Sequence, residues 1–274
     1  MSLAAHHAKS LLKKLEIDSL PIDPFKISER MEIFVKEDDC GGYTGMILVV
    51  DDRALISIKS GIREHSRKKF TVAHELGHYS IPEHLAGRTF FKCTDKDLDT
   101  FDKKGSKESE ANEFAAELLM PEEFFRGRIR LKDLGYDLIE ELAAEFETSL
   151  TATGIRFVNL SSDYALVCCE NFRIKWFFKG VEFPFYLRSE GELDKESMAI
   201  EFFKGRELPK TFETVPAYAW LDDYKIRDDL EIQELSIPLP YYNQVLTFIY
   251  AETPVEDEED EYLEELDGYP KFRK

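Results

Sequence analysis

Apolar residues recur at helical spacing over 6–15, and the run Leu20-Pro21-Ile22-Asp23-Pro24 breaks that pattern before a second short helix predicted over 25–31. Aliphatic and β-branched runs at 33–35, 44–50 and 54–58, separated by Gly41-Gly42 and Asp51-Asp52, predict a small antiparallel meander. Helical periodicity returns over 66–79 and stops at Pro82. A Lys/Asp-rich stretch over 92–105 predicts an exposed loop, followed by a strong helix over 106–120 that Pro121 closes. Two short helical patterns, 138–147 and 149–160, split at Glu147-Thr148 and have the outline of a helix-turn-helix. Beyond Ser161 the texture changes to strand-like runs at 165–169, 172–178, 183–187, 198–203, 217–220 and 245–250. The stretch 256–267 is nearly all acid and predicts a solvated tail.

The fold class expected from this order is α+β: a small antiparallel sheet with helices, then a helix-turn-helix segment, then a β-rich C-terminal domain. Composition narrows what such a chain does. A formal net charge of -19 repels phosphate backbones, which argues against nucleic acid and favours a protein or peptide partner. No run approaches the ~20 apolar residues that cross a bilayer, and the first residues lack a signal-type apolar core, so the expected location is the cytoplasm without membrane contact. Cys40, Cys93, Cys168 and Cys169 show no Cys-x-x-Cys spacing and are expected to be reduced and structural.

The segment from Phe70 to Tyr79 contains His74-Glu75-Leu76-Gly77-His78 inside the helical pattern. Residues four apart on a helix lie about 40° from each other around the axis, so His74 and His78 face the same way and can share one ion. Glu75, about 100° round from His74, is placed to take a proton from an attacking water without entering the ligand set. A third protein ligand is then needed. His84 follows His78 at the six-residue offset by which metzincins supply a third His, but Ile81-Pro82 stands where that class needs a turning Gly. In the helix over 106–120, Ala111, Phe114, Ala115, Leu118 and Leu119 form the apolar face; Glu110 borders it, about 40° from Phe114, whereas Glu113 faces outward.

The run Arg67-Lys68-Lys69-Phe70-Thr71-Val72-Ala73-His74-Glu75-Leu76-Gly77-His78, taken with Glu110-Ala111-Asn112-Glu113-Phe114-Ala115-Ala116-Glu117-Leu118-Leu119-Met120-Pro121, resembles the ImmA/IrrE family of gluzincin-type metallopeptidases over about the first 160 residues. The resemblance implies one Zn2+ per chain held by His74, His78 and Glu110, with Glu75 catalytic. It also implies cleavage of a helix-turn-helix transcriptional repressor, in a stress or mobile-element response. Together with the change of texture after Ser161 and the acidic run, it gives an expected division into a metallopeptidase domain over 1–124, a helical segment over 125–160, a β-rich domain over 161–255 that the resemblance likens to a sensor, and the acidic tail over 256–274.

Two further expectations concern substrate handling. The strand over 53–58 is the expected edge for an extended substrate to pair with, and His84 and Tyr79 are the candidates for stabilising the oxyanion. Two other functions stay open from sequence: a catalytically silent regulator on a peptidase fold, and a DNA-binding transcription factor. Against the latter, Arg156 is the lone base of the would-be recognition helix, and Glu140, Glu141, Glu145 and Glu147 precede it.

Overall fold

Local chemistry sets the ends of the first helices. Ser2 accepts from the Ala5 amide and opens α1 (Leu3–Lys14), while Asp23 caps α2 (Pro24–Arg30), whose first residue is a proline that needs no amide partner. The computed structural model describes residues 2–252 apart from 40, 52, 99–104, 131, 133 and 223–228. The acidic tail and Cys40 lie outside the described residues.

The first sheet holds β1 (Ile33–Asp38), β2 (Gly45–Val50), β3 (Arg53–Lys59) and β4 (Phe90–Cys93) in the order β1-β3-β2-β4. The hairpin β2–β3 and the pair β2–β4 are antiparallel, but β1 runs parallel to β3, so the expected meander is a mixed sheet. β3 is therefore interior, and 53–58 is not an edge. Its own residues explain the position: Ala54, Ile56, Ser57 and Ile58 are all buried, the continuous burial of a strand covered on both faces. The free edges belong to β1 and β4.

Between β3 and β4 lie α3 (His65–Ser80) and the single turn α4 (Pro82–Leu85). After β4 come α5 (Asp95–Leu98), α6 (Lys107–Leu119), capped by Ser106 accepting from the Ser109 amide, and α7 (Glu122–Ile129). α3 and α1 both pack on α6, and α1 also touches α3. Gly77 permits the α3–α6 approach, because a Cβ there would lie 3.2 Å from the Ala111 Cα. Val72, Leu76, Phe114 and Leu118 fill the seam, all fully buried, each contributing ~1.5–3 kcal/mol of hydrophobic stabilisation.

The predicted helical pair is present as α8 (Tyr136–Phe146) and α9 (Leu150–Ser161), with Glu147 in the left-handed region at the turn. Both helices are packed in: Ile139, Leu142 and Phe146 of α8 and Phe157 and Val158 of α9 belong to the core of the first part of the chain. The same core takes in Leu166, Cys168, Leu235, Ile237, Leu246 and Phe248 from the second sheet. Arg156 is occupied by Glu117, 2.5 Å away, and by the Met120 carbonyl.

The second sheet is antiparallel, in the order β6-β5-β9-β8-β7, from β5 (Tyr164–Glu170), β6 (Arg173–Lys179), β7 (Glu213–Pro216), β8 (Glu231–Leu239) and β9 (Gln244–Tyr250). Alternation along β5 turns Leu166 and Cys168 toward α9 and Ala165, Val167 and Cys169 toward a second core around Trp220. The expected strands over 183–187, 198–203 and 217–220 are instead an irregular segment with one bridge at Leu187, a helix α10 (Ala199–Phe203) and a 3-10 turn after Pro216. β8 replaces them as an inner strand. Its buried Glu234 and Ser236 interrupt the apolar pattern that marks a strand in sequence.

Candidate metal centre

His74 and His78 are fully buried on α3, one turn apart, and both aim Nε2 at the first turn of α6. There the Glu108 carboxylate lies 3.1 Å from His74 Nε2 and 3.3 Å from His78 Nε2, and the two ring nitrogens are 3.0 Å from each other. Zinc bound tetrahedrally at ~2.0–2.1 Å needs nitrogen and oxygen donors about 3.3–3.5 Å apart. The triangle is close to that size, and the donor types suit the ion. Cys93, at the end of β4, brings its Sγ to 3.4 Å from His78 Nε2, and the four donor atoms of His74, His78, Cys93 and Glu108 lie within 4.8 Å of one another.

The outer nitrogen of each imidazole is held as well. His74 Nδ1 lies 2.8 Å from Asn112 Oδ1, and the Asn112 amide donates to the Asp97 carbonyl, so the amide oxygen faces the ring. His74 then carries its proton on Nδ1 and leaves Nε2 as a lone pair. His78 Nδ1 lies 2.9 Å from His84 Nδ1, and His84 Nε2 lies 2.8 Å from the Glu110 carboxylate. With His84 donating through Nε2 to Glu110, its Nδ1 accepts from His78, and His78 also presents a bare Nε2. Lys107 donates to the Glu83 and His84 carbonyls and fixes the turn that carries His84 to α6.

Of the expected ligands, His74 and His78 are thus brought together, and Glu110 is not brought to them: it partners His84. Glu108 stands at the clamp because it is four residues before Asn112, on the face of α6 turned to His74, whereas Glu110 is about 200° round from Glu108. The pairing of Glu108 with Asn112 at i,i+4 was the signal available in sequence; weighing Glu110 only against Glu113 passes over it. His84 touches the back of His78, and Tyr79 packs against the hydrophobic core. Cys93 was hidden in a stretch read as exposed loop, part of which forms β4; residues 99–104 of it lie outside the described residues.

Glu75 is fully buried, and among the described residues neither carboxylate oxygen has a hydrogen-bond partner. Burial pushes its pKa up to about 7, with His74 opposing. Gly45 on β2 makes room for it, since a Cβ there would collide with Glu75 Oε1 and stand 2.8 Å from Thr71 Cγ2. Burial likewise lowers His78 to about 4, which keeps it neutral. Burial alone would raise Glu108, but its contact with the His74 and His78 rings outweighs it and holds the carboxyl well below its ordinary range.

Two histidines and a glutamate from crossed helices, beside a small sheet and an unpaired buried glutamate, define a metallopeptidase-type domain. Residues 29–158 match the Peptidase_M78 family model, the IrrE N-terminal-like domain, which supports the ImmA/IrrE family for this part of the chain. A comparison with curated proteins finds no match. Among solved structures, a Mycobacterium tuberculosis transcriptional regulator shares the fold with a TM-score of 0.54 and 11% identity, over 91% of this chain and 75% of that one. Among the described residues no helix is long and apolar enough to cross a membrane.

Proposed function

We propose that the chain is a zinc-dependent endopeptidase in which His74, His78 and Glu108 hold one zinc ion and Glu75 is the general base. Glu108 takes the role first expected of Glu110. The observation that carries this reading is the Glu75 carboxylate, buried and without a partner beside three converging donor atoms. A group of that kind is costly to keep unless it has a task or a ligand nearby.

Zinc bound there would polarise the scissile carbonyl and acidify the attacking water. Glu75 accepts the proton of that water on a carboxylate oxygen and returns it to the departing amine. Asn112, His84 and Glu110 keep both imidazoles correctly turned. An extended substrate pairs with the free edge of β4, which ends beside the clamp. The substrate class we propose is a helix-turn-helix repressor in the cytoplasm, cleaved in a stress or mobile-element response. α8 and α9 do not serve as a DNA reader, because their apolar faces and Arg156 are used inside the molecule.

The test is a Glu75→Gln variant co-expressed with a candidate repressor. Zinc retained and cleavage reduced ~10²–10⁴-fold is the expected result; full cleavage by this variant would remove Glu75 from the chemistry.

A further inference from the structure

We infer that Cys93 is a fourth protein ligand of this metal, so that the resting centre is closed to water and opens only when the thiolate leaves. The inference rests on the metal site proposed above and deepens it. Strand alternation in β4 turns Phe91 and Cys93 inward while Phe90 and Lys92 stay exposed, and Cys93 is fully buried. Its Sγ is 3.4 Å from His78 Nε2. A tetrahedral centre with zinc–sulfur at ~2.3 Å and zinc–nitrogen at ~2.0–2.1 Å sets those atoms about 3.5 Å apart.

The donor set is also chemically complete. Two neutral imidazoles, one carboxylate and one thiolate carry two negative charges, which balance a dication in a buried place. Four protein ligands are the mark of a closed zinc site, whereas a working hydrolytic site keeps one position free. The thiol proton is released to solvent as the zinc–sulfur bond forms. Among the described residues β4 has one strand neighbour, β2, so the thiol is carried by an edge element whose displacement frees the fourth position.

Zinc-edge X-ray absorption on the full chain, with zinc per chain measured on the same samples, tests this in the wild type and in Cys93→Ser and Cys93→Ala. Expected is one zinc per wild-type chain with one sulfur at ~2.3 Å, and retention of zinc with loss of that sulfur in both variants. One zinc per wild-type chain with only nitrogen and oxygen neighbours overturns the inference and leaves the His74–His78–Glu108 site standing. A sulfur shell that survives both substitutions also overturns it, whereas absence of zinc from the wild type removes the metal site itself. If the variants do not fold, the wild-type spectrum alone decides.

Discussion

Asn112, His84 and Glu110 have no donor atom in the converging group, yet each determines what the group can bind. A histidine that turns an N–H toward the centre cannot coordinate, so the hydrogen bonds from His74 to Asn112 and from His78 through His84 to Glu110 fix the tautomers a metal needs. Replacing Asn112 by Ala or Glu110 by Gln should weaken zinc binding ~10–100-fold while leaving it saturable, and competition with a chelator of known affinity measures this. The same titration on Glu108→Gln should show a far larger loss. Sequence alone exposed the two histidines and Glu75, because their relation is internal to one helix. Glu108 had a signal within its own helix, the i,i+4 relation to Asn112, whereas Cys93 depends on how β4 lies against α3, which no single-element periodicity encodes. The carboxylate bordering the apolar face, Glu110, meets His84 instead.

At the scale of elements, α8 and α9 join the metal-bearing part to the second sheet. Lys69 of α3, almost wholly buried, ends on Glu147 at the α8–α9 turn, 2.8 Å away. Arg156 of α9 ends on Glu117 of α6. Truncating Arg156 to Ala leaves the buried Glu117 with the Glu122 amide at 3.1 Å and Lys9 at 3.7 Å and should cost at most about 3 kcal/mol; urea unfolding measures it. In the sheet, Gly45→Ala should displace Glu75 and lose peptidase activity with zinc still bound, at a stability cost of about 1–3 kcal/mol. The helices were legible from caps and prolines such as Ser106, Ser149 and Pro121. The second sheet was less so: β8 carries Glu234, Ser236 and Pro238, and α10 is a short apolar run whose first amide, with that of Met198, is satisfied by Glu234 rather than by a strand.

Across the whole molecule one hydrophobic core runs from Ala4 on α1 to Phe248 on β9, and the second sheet closes a further core around Trp220 on its other face. Glu234 lies under that outer core, accepting from Trp220 Nε1, the Met198 and Ala199 amides and Ser236. Burial nonetheless raises its pKa above the ordinary value of 4.5, against those hydrogen bonds. A carboxyl raised in the folded state holds its proton longer than in the unfolded chain. Its contribution to stability is therefore full below about 4.5 and falls as pH rises through the folded pKa. Urea unfolding across this range should show a slope that Glu234→Gln flattens; an unchanged slope would assign the pH dependence elsewhere.

The central claim is that the metal is held by His74, His78 and Glu108, with Glu110 acting behind His84. Zinc per chain, measured by mass spectrometry on protein purified without chelators and supplied with zinc, tests it in the wild type, Glu108→Ala and Glu110→Ala. Near one zinc per chain in the wild type and Glu110→Ala, with a marked loss in Glu108→Ala that becomes complete when Cys93→Ala is added, is the predicted result. Zinc kept by Glu108→Ala and lost from Glu110→Ala, or absent from the wild type, would contradict it.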